Sequence, residues 1–196
     1  MRLALNKSAL QRERAKIALY RRYLPPLELK RQELLRRLGV AQAELLELNR
    51  RRDEFLHYVR AELPMLANER IELSGLVRLA EVEIGKENVL GVVLPRLDGV
   101  VVQVQEYSPL ARPHWVDEVV RCMRQMIELE VAHKVAEQRL AILAQAAKSA
   151  TQRVNLLEKV LIPTTSANVR RIQIYLEDLE RAETIRAKLA KGKLTR

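Results

Sequence analysis

The residue types that could do chemistry in this chain are few, and their spacing is against it. A phosphate-cradling loop needs an upstream glycine and a hydroxyl residue after Gly-Lys, but Gly192-Lys193 is followed by Leu194 and has no such glycine before it. His57, His114 and His133 show neither an i, i+4 pairing nor a cysteine partner, so they read as surface or seam residues rather than metal ligands. Cys122 is the only cysteine, which excludes an intrachain disulfide and a cysteine-based zinc cluster and fits a reducing compartment. Beside Met123 it reads as a small apolar filler, not a nucleophile. The expectation is a chain with no catalytic site, no cofactor and no bound metal.

What remains of interest is charge. The net charge of +10 is concentrated at the ends. Residues 1–22 hold seven Lys or Arg against Glu13 alone, and residues 181–196 hold six against Glu183 alone; the stretch between has 22 basic and 23 acidic residues. Clustered cations suit nucleic acid, whose backbone attraction is independent of sequence. However, the two ends contain one aromatic, Tyr20, and no groove-reading motif, so stacking platforms are absent and nucleic acid is not the expected partner.

The elements that carry these residues follow from composition and period. Aromatic residues make up only 4% of the chain and Gly plus Pro only 13 residues, while Leu, Ala, Glu, Lys and Arg dominate, the mixture of long helices. A heptad register runs from Leu3 to Val59. Its first seam is Leu3, Leu10, Ile17, Leu24, Arg31, Leu38, Leu45, Arg52 and Val59; its second is Asn6, Glu13, Tyr20, Leu27, Leu34, Ala41, Leu48 and Phe55. A period near 3.5 sustained this long is the signature of a coiled coil, and at 1.5 Å per residue it predicts a helix of roughly 90 Å. Pro25-Pro26 interrupts hydrogen bonding but not phase, which predicts a kink with the seam preserved. Arg31 and Arg52 leave two readings open: stems packed with heads in solvent, or pairing with acids across the seam that fixes register. The run Arg50-Arg51-Arg52 reads as a solvated face.

A second helical stretch from about Val116 to the C-terminus has strict heptads at Leu140, Leu143, Ala147, Ala150, Val154, Leu157 and Leu161, with Pro163 predicting a loosened turn. Two such helices would pack antiparallel. The middle region reads differently. Leu66–Ile84 is predicted as a short helix between Pro64 and Gly85, and the valine-rich runs around Asp98-Gly99 as a β-hairpin over Asn88–Tyr107. The expected architecture is therefore all-α: a long antiparallel two-helix coiled coil, with residues 1–62 as its N-terminal helix, 63–115 as a small middle region containing the short helix and the hairpin, and 116–196 as its C-terminal helix. No window approaches the roughly 18 uncharged apolar residues of a membrane span, so direct insertion is not expected and a cytoplasmic location is.

With these elements in place, the segment from Thr151 to Arg196 resembles the C-terminal rod of the D subunits of V-type and archaeal-type (V/A-type) rotary ATPases. Arg153-Val154-Asn155, Leu157-Glu158, Ile162-Pro163, Arg170 and Ile172 stand in that family's order, with a basic tail behind them. LNKSALQRERAKIAL is similar to its N-terminal rod, and Asn88-Val89, Gly91 and Val93–Pro95 to the start of its hairpin. The resemblance implies a non-catalytic central-stalk rotor component. Its coiled coil would enter the ring of catalytic A and non-catalytic B subunits, and its lower part would join the small F subunit of the rotor and the socket subunit above the membrane ring. It would transmit torque between ATP hydrolysis or synthesis and proton or sodium movement, in the cytoplasm and peripheral to the membrane. Arg12, Arg14, Lys16, Arg21, Arg186 and Lys188 are then expected to face the catalytic ring. The rival expectation is a stand-alone coiled-coil scaffold or tether.

Overall fold

The computed structural model describes residues 4–67, 73, 75–107 and 113–194. They are mostly helical. Helix α1 spans Lys7–Glu62, a 3₁₀ turn Pro64–Ala67, strands β1 and β2 Val77–Val89 and Val92–Val104, and helix α2 Val116–Asn155. A π-helical turn, Leu156–Leu161, then leads into helix α3, Ile162–Leu194. The chain divides into two compact units, residues 1–32 with 148–196, and residues 33–147.

Helix α1 begins at an asparagine cap. The Ala9 amide donates to Asn6 Oδ1 at 2.7 Å and the Leu10 amide to the Asn6 carbonyl at 3.0 Å, so Asn6 is a cap rather than a seam residue. From Leu10 to Val59 all the remaining heptad positions of the predicted seam are buried or half-buried, while most intervening residues are exposed. The helix continues through Pro25-Pro26, with Leu24 and Leu27 still on the covered face. Each proline leaves one carbonyl without its amide partner. Arg21 and Arg22, whose carbonyls these are, lie on the exposed side where water can bond them.

In the unit of residues 33–147, α1 and α2 run antiparallel. Asn49 meets His133 and Arg52 meets Glu130, so numbering rises on one helix as it falls on the other. Two apolar clusters close this unit. One joins Leu76 and Val77 to Val116 and Val120; the other joins Leu63 to Val119 and Cys122, with Trp115, Met123 and Leu73 packed against both.

The hairpin is present but differs from the sequence reading in two respects. Val77–Ile84 is strand, not helix; the remainder of the predicted helix beyond Ala67 lies largely outside the described residues. The reason is a bulge. Leu79 pairs with Val102 and Glu81 with Val101, leaving Ala80 as an extra residue. That insertion breaks the apolar alternation and leaves Val77, Ala80 and Ile84 at helix-like spacing. The turn is Leu90-Gly91, both at positive φ (52° and 79°), as a two-residue hairpin loop requires. Asp98-Gly99 lies inside β2, where Asp98 is a second extra residue between the pairs Glu83–Gly99 and Ile84–Leu97. Its side chain covers Gly85 and accepts from Arg96 Nε at 2.6 Å.

In the unit of residues 1–32 and 148–196, α1 and α3 are also antiparallel, shown by Lys7 with Glu180 and Glu13 with Asn168. Val154 and Ile172 are fully buried. Before the π turn the covered phase is Leu143, Ala150, Leu157, in steps of seven; after it the covered residues are Thr165 and Ile172, eight and then seven residues on. One residue has been inserted. The Ile162 amide bonds the Leu157 carbonyl, five residues back, which is how a helix absorbs both the insertion and the missing amide of Pro163.

Candidate partner interface

The six cations expected to face a partner all lie in one unit: Arg12, Arg14, Lys16 and Arg21 on α1, Arg186 and Lys188 on α3, every one of them exposed. Among them Lys16 has an acidic partner in the described residues: its Nζ lies 2.6 Å from Glu13 Oε1. Of the residues that carry the family resemblance, Val154 is buried in the seam, Asn155 and Ile162 are half-buried, and Arg153, Glu158 and Pro163 are exposed. The Asn155–Pro163 stretch coincides with the π turn and its flanks.

The structure brings together a polar cluster that sequence reasoning treated as seam. Glu13, buried on α1, takes the Lys16 ammonium and, at a longer 3.4 Å, the Asn168 amide from α3. Hydrogen bonding from Lys16, with further help from Asn168 and Arg12, outweighs burial and holds its carboxyl below the ordinary range. Thr165, also buried, donates back to the Leu161 carbonyl at 2.6 Å.

The other unit has its own polar contacts. His133 is buried, and its Nε2 lies 2.9 Å from Asn49 Oδ1; an amide oxygen only accepts, so Nε2–H donates. Arg139 of α2 ties down the hairpin, donating to the Pro95 carbonyl at 2.8 Å and to Glu87 at 3.0 Å. This contact had no signal in the sequence, because it joins residues 44 and 52 positions apart. Arg52 and Arg31 separate the two readings of seam arginines. Arg52 pairs across the seam with Glu130 at 3.9 Å, whereas Arg31 Nε is buried with no hydrogen-bond partner among the described residues. Burial pushes the Cys122 thiol up, away from the thiolate a nucleophile needs.

Among the described residues no group of three or more His, Cys, Asp or Glu could hold a metal ion, and no helix is long and apolar enough to cross a membrane. Large apolar side chains are nevertheless left uncovered, Leu46 at 71% and Leu189 at 64% of full exposure. Long helices paired through a narrow seam, with charged outer faces and uncovered apolar residues, define a helical protein suited to being one component of an assembly. The chain belongs to the family of ATP synthase D subunits, whose model matches residues 9–192. It is similar to the V-type ATP synthase D subunit of Borreliella burgdorferi, 28% identical over 197 residues covering 98% of this chain and 95% of the relative. It is also similar to proteins of the same description from Chlamydia muridarum, at 32% with 98% and 96% covered, and Chlamydia felis, at 30% with 98% and 93% covered.

Proposed function

We propose that this chain is the non-catalytic central-stalk rotor subunit of a V/A-type ATPase or ATP synthase. It transmits torque between nucleotide turnover in a ring of A and B subunits and proton or sodium translocation at the membrane. The observation that carries this reading is the family match along nearly the whole chain. The physics suits it. Torque between distant sites needs an element that resists bending and unwinding, and two long antiparallel helices packed along a heptad seam would supply one. On this reading residues 1–62 and 116–196 are the two shaft helices and residues 63–115 the region that meets the small F subunit and the socket subunit. The complex is membrane-bound, with this component on the cytoplasmic side and peripheral.

The basic residues Arg12, Arg14, Lys16, Arg21, Arg186 and Lys188 then face the inner wall of the ring. Exposed like charges repel one another, so their concentration in one unit is favourable only against an acidic or dipolar surface. The test is reconstitution with the A, B and F subunits after reversing Arg12, Arg14, Arg186 and Lys188 together to Glu. Helicity and binding of the F subunit are expected to survive, while ring assembly and turnover fall, with a loss that changes with salt. Unchanged assembly and turnover at low salt would overturn the placement of these residues.

A further inference from the structure

A groove of about 870 Å³ opens between α1 and α3 in the unit of residues 1–32 and 148–196, lined by Arg12, Glu13 and Lys16 from one helix and Thr165, Asn168 and Arg171 from the other. Its origin is legible. Glu13 occupies a seam position where an apolar side chain would fill the space, and the covered position facing this stretch from α3 is the polar Thr165 rather than an aliphatic residue. The seam is therefore polar here and incompletely filled.

The charges in the groove do not balance. Glu13 is occupied by the Lys16 ammonium at 2.6 Å and the Asn168 amide at 3.4 Å. That leaves the Arg12 and Arg171 guanidinium groups, one from each helix, without a close ion pair among the described residues, Arg12 acting on Glu13 only through space. Two guanidinium forks lining one cavity, against the single carboxylate of Glu13 that Lys16 already takes, suit an additional carboxylate, which accepts charge-assisted bonds from such groups. The volume is that of a ligand pocket rather than of a single ion. Ala9, Leu5 and Leu161 add apolar lining suited to the methylene stem of an acidic side chain.

We propose that this groove receives a glutamate or aspartate side chain from an acidic peptide segment of a partner protein, held by Arg12 and Arg171. The partner's identity, though not the chemistry, rests on the rotor reading: there the segment belongs to the ring, and the contact is a localised latch superimposed on the diffuse attraction of the basic end.

The full chain is titrated with a fluorescently labelled hexaglutamate peptide, followed by anisotropy and by the side-chain amide resonance of Asn168. Arg12→Gln with Arg171→Gln is expected to weaken binding about tenfold. Arg22→Gln with Arg170→Gln removes the same charge from exposed positions outside the groove and is expected to change it less than about twofold, as screened long-range attraction does. The Asn168 resonance should shift with wild type and stay still with the groove variant, and circular dichroism should show both variants fully helical. Equal weakening by the two pairs would overturn the groove and leave only diffuse attraction. So would saturation of the Asn168 shift by inorganic phosphate at lower concentration than the peptide, or a thymidine oligonucleotide bound with the same dependence on Arg12 and Arg171. Reconstitution with A and B subunits separates the two levels. Peptide binding lost and ring assembly weakened by the groove pair alone supports both; peptide binding lost with assembly intact keeps the site and removes the ring as its partner.

Discussion

Glu13 stands on the α1 seam where the heptad wants an apolar side chain, and its surroundings make it tolerable rather than favourable. Lys16 and Asn168 occupy its oxygens and outweigh the cost of its burial, but an aliphatic side chain at this position would bury more apolar surface than such a polar cluster is worth. Glu13→Leu should therefore stabilise the chain by about 1 kcal/mol in urea unfolding, because an aliphatic side chain fills the seam. A loss of stability instead would show that the polar cluster holds the two helices in register. The sign of the pH effect follows from the same contacts. The carboxyl is held below its ordinary 4.5, so its contribution is fully present above that value and is lost as pH falls through the lower folded value. The leucine variant should lack this component of acid sensitivity. Seam arginines illustrate how little of this the sequence could decide: Arg31 and Arg52 occupy equivalent heptad positions, yet only Arg52 finds an acid across the seam. Which outcome a position meets depends on what the opposite helix presents, and that is fixed by a register the local pattern does not contain.

At the scale of elements, the hairpin turn is the clearest departure from local signals. Asp-Gly is a strong turn dipeptide, but here a bulge takes it into β2 and Leu90-Gly91 makes the reversal. Leu90 is left at φ 52° with its side chain 44% exposed, strain without much compensating burial. Leu90→Asn should stabilise the hairpin by about 0.5–1 kcal/mol, read as a rise in melting temperature, since asparagine adopts this conformation readily and Asn-Gly suits the turn. The helices carry a pH signature of their own. Hydrogen bonds from Arg36 and Arg37 hold Glu33 at about 2, and those from Arg50 and Arg51 hold Glu47 at about 2, both from an ordinary 4.5. These pairs are at the surface, so salt screens them. Their support for α1 is complete above pH 4.5 and is expected to disappear between 4.5 and about 2. Far-ultraviolet circular dichroism of Glu33→Gln with Glu47→Gln should show a flatter acid titration than wild type at low salt, and the two curves should merge at high salt.

On the scale of the whole molecule, burial is unevenly distributed. Residues 184–191 of α3 are exposed throughout, whereas Glu180, one turn before them, pairs with Lys7 of α1. Removing residues 184–196 should change unfolding free energy by less than about 0.5 kcal/mol, as changes at exposed positions do. The same truncation removes Arg186 and Lys188, so ring assembly should weaken even though the fold does not. A truncated chain that melts much earlier would mean that this stretch stabilises the fold directly.

The sequence by itself determined the periodic features: the α1 seam from Leu10 to Val59, the loosening of the helix before Pro163, the concentration of positive charge at the two ends, and the family resemblance. These were legible because helical periodicity, proline's missing amide and net charge are local or additive properties of the chain. Tertiary structure decided what depends on pairing. It set the hairpin register with its two bulges, placed the turn at Leu90-Gly91, and converted part of a predicted helix into β1. It matched Arg139 to Glu87 and Pro95, and it brought Arg12 and Arg171 to one groove. Each of these joins residues far apart in the chain. Their energies depend on which surface arrives opposite, and no local window contains that surface.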